Sequence, residues 1–194
     1  MARVRGTSFV GTIDYVSTTF GEAALGRVLE DLAPDLRALL RRGNPALLPA
    51  GWYDAGDLST LTRAIDRKLG AGDLSLAREI GRHVAFSDVN RFFKWLLRLA
   101  GPKVLFARAG SVWSNYYDGG RYVFEGAVDG QASIRVEEWD AADEVLCKRL
   151  EGWIARAFEL ASGLDVRPAI HETHHCASDP QLTSGRFCRF EARW

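Results

Sequence analysis

The hydrophobic pattern first changes period near Gly119-Gly120. That change limits the chain to a fold with a helical part followed by a sheet part. Upstream, Leu58, Leu61, Ile65 and Leu69 recur at helical spacing, as do Leu76, Ala77, Ile80 and Val84, and then Val89, Phe92, Phe93, Leu96 and Ala100. Asp54 or Asp57, Asp73 and Asp88 stand where N-caps belong, and Gly70 and Gly101-Pro102 stand where helices stop. A further helix turns Leu105, Ala109, Val112, Trp113 and Tyr116 inward. Gly21 to Arg42 reads as two shorter helices broken near Pro34, with a proline-bearing loop from Gly43 to Gly51.

Downstream, Tyr122, Phe124, Gly126 and Val128 alternate with more polar neighbours, and Ala132, Ile134 and Val136 do the same after Asp129-Gly130, a strong hairpin signal. Asp140 then caps a long helix with Leu146, Leu150, Trp153, Ala157 and Leu160 facing inward. Two strands, about 164–176 and 186–194, close the chain. Helices, hairpin, helix and two strands in that order predict an α+β fold, a helical N-terminal half packed on a small antiparallel sheet. A hairpin alone is not stable, so the expectation is one domain over residues 1–194, with helices about 6–117 and the hairpin, helix and strands about 121–194.

The 25 basic and 25 acidic residues cancel, which speaks against a nucleic-acid partner and against a polybasic membrane surface. No apolar run reaches the roughly 18 residues a membrane span needs, and the first twenty residues lack the apolar core of a signal peptide. With three cysteines and no export signal, the expected setting is the cytoplasm, with the thiols reduced.

Alternation along the closing strands puts Glu172, His174 and Cys176 on the same face as Leu164, Val166 and Ile170, and Cys188 with Phe190 and Ala192. Cys147 lies on the apolar flank of the long helix, beside Leu150, Ile154 and Phe158. All three thiols therefore face the interior. A buried carboxylate or imidazole beside thiols can be compensated by Zn²⁺, with Cys147, Cys176, Cys188 and either Glu172 or His174 as ligands. The plainer reading is three buried thiols acting as small hydrophobes.

Arg5-Gly6-Thr7-Ser8-Phe9, Leu48-Pro49 before Trp52-Tyr53, Arg91-Phe92-Phe93 and Trp113-Ser114-Asn115-Tyr116-Tyr117 resemble a myxobacterial paralogous family of unknown function, over nearly the whole chain. Cys147, Gly152, Cys176 and Cys188-Arg189-Phe190 resemble the 4-vinyl-reductase-like domain, whose superfamily also takes in haem-based nitric-oxide sensors and TRAPP tethering subunits. The resemblance implies helices on an antiparallel sheet, frequent dimerisation and, in some members, Zn²⁺ beside a small apolar pocket. The acidic ligand expected three residues before the second cysteine is Thr173 here, and a β-bulge would bring Glu172 round.

No haem is expected: His83 is a lone helical histidine among ordinary neighbours. A thiol enzyme built on Cys176 with His171, His174 or His175 lacks an orienting acid, so no catalysis is expected. Phe92, Leu96, Trp113, Tyr116, Phe124 and Trp153 are the candidate lining of an apolar pocket, and Trp95 is a candidate dimer contact. The leading reading is a non-enzymatic sensory domain for a small apolar molecule, in a homodimer. The alternative is a scaffold that dimerises or tethers partner proteins with a filled core.

Overall fold

The computed structural model describes residues 2–88, 109–110, 112–128, 130–140, 143–162, 171–175 and 187–193. Its elements are β1 (Arg3–Arg5), α1 (Gly6–Phe20), α2 (Glu22–Glu30), α3 (Pro34–Leu40), β2 (Trp52–Asp54), α4 (Ala55–Leu69), α5 (Ser75–Asp88), β3 (Arg121–Val128), β4 (Gln131–Glu137), α6 (Glu144–Ser162), β5 (His171–His175) and β6 (Phe187–Arg193). Residues 112–116 are also helical. The fold is α+β, with helices first and a four-stranded antiparallel sheet in the order β3-β4-β6-β5.

The helix boundaries follow local chemistry. Pro34 opens α3 in its first turn, where its missing N–H costs nothing. Asp54 caps α4 by accepting from the Gly56 N–H at 2.7 Å, and Gly70 ends it. Asp66, buried on α4, accepts from the N–H groups of Leu74 and Leu76 at 2.8 and 3.1 Å, so α4 itself caps the start of α5. The long helix α6 is capped by Asp143, which accepts from Leu146 N–H at 2.7 Å; this corrects the expectation that Asp140 does so. Asp143 also accepts a bond from Ser59, tying the cap to α4.

Two three-residue strands escaped the sequence reading because they are too short to show a period. β1 and β2 pair antiparallel, and Trp52 carries the Arg5 guanidinium 4.0 Å above its ring. Arg3 meets the Asp118 carboxylate at 2.5 Å. The N-terminus is thereby fastened to the segment that leads into the sheet.

In the sheet, Ala132, Ile134 and Val136 of β4 face the core opposite Ala192, Phe190 and Cys188 of β6, as their alternation required. β3 departs from the expected regular alternation. A bulge between Phe124 and Gly126 flips the strand, so that Ala127 packs on the core while Val128 is 72% exposed. The bulge serves the outer face. Arg135 and Arg189 stand directly opposite one another, and the Glu125 carboxylate meets both, at 3.5 and 2.7 Å.

Helices α5 and α6 approach closely enough for backbone to meet backbone. A Cβ on Gly81 would run into the Arg149 carbonyl, and a Cβ on Gly152 into the Arg78 carbonyl. The two glycines let the backbones touch, the distance at which Cα–H groups meet carbonyl oxygens. Along the seam Glu151 takes Arg78 at 3.0 Å and Lys148 at 3.2 Å, and Glu159 takes Arg82 at 2.9 Å and Arg156 at 2.8 Å. The main core cluster runs without a break from Phe9 and Val16 of α1, through Leu61 of α4 and Ile80 of α5, to Phe158 of α6 and Phe190 of β6.

Gly81→Ala and Gly152→Ala each force the helices apart and are expected to cost about 2–4 kcal/mol, a fall of roughly 5–15 °C in Tm. Gly26→Ala, in α2 with open space around it, is the control and is expected to stabilise by about 0.5–1 kcal/mol. Equal effects at all three sites in a thermal melt would refute the backbone contact.

Burial alone would raise the Glu159 carboxyl, but the hydrogen bonds and charge of Arg82 and Arg156 outweigh it and hold it below its ordinary value. The folded state therefore binds this proton less tightly than the unfolded chain does. Its contribution is full above the unfolded value near pH 4.3 and is lost as pH falls through the lower folded value. Glu159→Gln is expected to flatten that part of the acid limb, measured as Tm against pH between about 6 and 3.

Candidate functional site

The C-terminal end of α5, the helical residues 112–116 and the face of α6 converge on one cluster. Asp88, the last residue of α5, is 7% exposed and accepts from the Trp153 indole Nε1 at 3.3 Å and from the Tyr116 phenol. The Tyr116 and Trp153 rings lie 6.2 Å apart in a tilted arrangement. Burial first, then the Asp88 charge, pushes the Tyr116 phenol far above its ordinary value, so it stays a neutral donor. Tyr122 and Phe124 of β3 are half-buried and pack on the main core; burial likewise raises the Tyr122 phenol.

A second cluster adjoins it. Tyr117 stacks on Trp113 at 4.3 Å, and Trp139 meets both edge-on at 5.2 and 5.1 Å. The Trp113 indole donates to the Gly119 carbonyl at 3.0 Å. Burial raises the Tyr117 phenol to about 12, against the pull of the nearby Arg149 cation. Arg149 is 6% exposed, on α6. Its guanidinium donates to Thr62 Oγ1 at 3.0 Å, Thr12 Oγ1 at 2.9 Å and the Ser8 carbonyl at 3.4 Å. Among the described residues no carboxylate pairs with it. Burial lowers Arg149 to about 10, with Tyr117 acting in the opposite direction, so it remains a cation at neutral pH.

Of the residues expected to line a pocket, Tyr116 and Trp153 come together around Asp88, while Phe124 of β3 packs on the main core. Trp113 belongs to the neighbouring stack. Phe92, Leu96 and Trp95 lie outside the described residues. Of the expected ligands, Cys147 and Cys188 meet, with Sγ atoms 3.0 Å apart in the core. Cys176 lies outside the described residues, and Glu172 and His174 stand opposite Phe190 and Cys188 in the register of β5 and β6. Among the described residues no three metal-binding side chains form a group.

Sequence reasoning saw Asp88 only as a cap and passed over Tyr117 and Arg149. The available signal for Arg149 was its position: it falls between Leu146 and Leu150, on a stripe that is otherwise apolar.

The architecture is that of the H-NOX proteins. An unliganded Fe(II) H-NOX protein from K. algicida matches with a TM-score of 0.68, covering 97% of this chain and 95% of that one at 14% identity. An H-NOX protein from S. oneidensis in its Fe(II)NO state matches at 0.67, covering 97% and 98%, with 15% identity. An oxygen-binding H-NOX domain related to soluble guanylate cyclases, in its oxygen complex, matches at 0.65, covering 97% and 93%, with 12% identity. No protein-family model and no curated protein matches the chain.

These matches correct two expectations. The placement in the myxobacterial paralogous family, and with the 4-vinyl-reductase-like and TRAPP proteins, gives way to an H-NOX fold. Three cysteines and a few aromatic pairs are too sparse a signal to separate related α+β architectures. The expectation of zinc and no haem is corrected too: a further match, at TM-score 0.65 over 98% of this chain and 10% identity, is described by its haem redox potential and porphyrin distortion.

Among the described side chains, none is set to ligate a haem iron. His83 Nε2 lies 2.9 Å from Asp14 and its ring meets Tyr15 edge-on at 5.5 Å, on the rim of α5 and α1. Cys147 and Cys188 are packed against each other, and Tyr116 and Tyr117 are held as neutral phenols.

Arg149 is held by neutral acceptors, and Thr12 and Thr62 keep bonds to Ser8 and Leu58 carbonyls without it. A buried cation so placed is a net burden on stability. Arg149→Met is therefore expected to leave the Tm unchanged or raise it by several degrees, as read by calorimetry. A fall of more than about 5 °C would mean that the cation is compensated after all.

Proposed function

We propose that this chain is a non-enzymatic, cytoplasmic sensory domain. It acts as a single unit that binds a small ligand where its helical half meets its sheet half. The observation that carries this is the H-NOX architecture over almost the full length of the chain, shared with proteins described with nitric oxide or oxygen bound. A fold supplies a frame, and the site supplies the function. Here the site is the cluster around Asp88, Tyr116 and Trp153, the largest grouping of half-buried aromatics around a buried carboxylate among the described residues.

Its chemistry favours a ligand that is mostly apolar and carries a hydrogen-bond donor. Tyr116 and Trp153 offer ring surface, and Asp88 offers an acceptor that both already use. A ligand wedged there touches the ends of α5 and α6 at once. Ordering those two helices changes the surface they present to a partner, which is how such a domain reports binding.

The test is a thermal-shift panel on the full chain with haem and small aromatic ligands, haem uptake being followed also by its absorption. A ligand at a hundred times its Kd is expected to raise Tm by about 5–10 °C. Trp153→Ala is expected to reduce that shift. An unresponsive protein that runs as a bare dimer would favour the scaffold reading.

A further inference from the structure

We propose that Cys147 and Cys188 are an oxidation site: a thiol pair that closes to a disulphide, stapling α6 to β6, when the protein meets a hydroperoxide. The two sulphurs lie 3.0 Å apart, and a disulphide needs about 2 Å, so closure asks for only about 1 Å of approach. The residues are 41 positions apart in the chain, so no local geometry brings them together. The fold does it through two packed elements. Cys147 rides on α6, locked to α5 by the glycine contacts, and Cys188 sits on β6 with paired strands on both sides, opposite Val136 on β4 and His174 on β5. Both residues are buried, at 0% and 2% exposure.

The chemistry closes with one oxidant. The first thiol gives up its proton and attacks, as thiolate, one oxygen of hydrogen peroxide; an S–O bond forms, the O–O bond breaks, and the departing hydroxide takes up that proton to leave as water. The second thiol then attacks the resulting sulfenic acid; the S–S bond forms, the S–O bond breaks, and water leaves with the second proton. Two thiols lose two electrons, and one hydrogen peroxide is reduced to two waters. Hydrogen peroxide is close to water in size, which suits a buried site. The same burial slows capture and shields the product from reductants, so the staple persists once made.

The pair is distinct from the ligand cluster around Asp88, and the proposal does not rest on ligand binding. The full chain is incubated with hydrogen peroxide, blocked with an alkylating reagent and mapped by mass spectrometry without reductant. A Cys147–Cys188 linked peptide, two hydrogens lighter than its reduced parts, is expected in the wild type and in Cys176→Ala, and is expected to vanish in Cys188→Ala. Oxidised Cys176→Ala protein is expected to melt about 8–15 °C above its reduced form, because the link closes a long loop in the unfolded chain. Dithiothreitol added to unfolded protein is expected to reverse the shift. Full alkylation of Cys147 and Cys188 after oxidation, or a link that runs only to Cys176, overturns the proposal.

Discussion

The contact between α5 and α6 carries the structure, because there two long helices meet backbone to backbone. Gly81 and Gly152 lie on facing helices, each under a carbonyl of the other. Any side chain at either position separates the helices. With that separation would go the ion pairs of Glu151 and Glu159, the level at which Asp88 meets Trp153, and the depth at which Cys147 enters the core. The helical half and the sheet half are thus joined by α6, which belongs in packing terms to both.

That role explains why several of the buried polar groups lie along α6 or against it. Arg149 reaches back to Ser8, Thr12 and Thr62 in the helical half, and Trp153 reaches Asp88 at the end of α5. The two arrangements differ in cost. Asp88 is stabilised by an indole and a phenol that donate to its charge, whereas Arg149 is a charge met only by neutral oxygens. Glu151, still more buried, is by contrast met by two cations. Removing the guanidinium would leave its threonine partners with their own helix carbonyls, so the burden lies on the cation alone.

Much of this architecture was legible in the sequence, for reasons that differ by element. Helices α4, α5 and α6 announce themselves because one face of each is buried, and a 3.6-residue period survives any detail of packing. The inward faces of β4 and β6 follow from alternation for the same reason. What escaped was set by contacts distant in sequence. The β3 bulge accompanies a Glu125 that meets Arg135 on β4 and Arg189 on β6, and nothing within β3 signals it. Asp143 wins the cap of α6 over Asp140 because Ser59 on α4 holds it there. The pairing of Cys147 with Cys188 was expected as a shared interior, but their approach to 3.0 Å, with Glu172 placed opposite Phe190 rather than beside them in register, could come only from the fold. Asp88 is the sharpest case. Read in the sequence as the cap of a following helix it looks like punctuation, and only the arrival of residues 112–116 and α6 makes it the centre of a site.

Identity of 10 to 16% with structures covered over nearly their whole length says that the frame tolerates almost complete replacement of side chains. A core does so when volume and pattern are kept, since packing asks for hydrophobes of about the right size rather than for particular residues. Function does not share that tolerance, because a ligand answers to individual donors, acceptors and charges. The residues that carry meaning here are therefore those the packing does not require. An apolar residue would fill the place of Arg149 as well, and a neutral hydrogen-bonded group would cost less in the place of Asp88. Both occupy the seam where the two halves of the fold meet, so whatever occupies or perturbs that seam acts on both halves together.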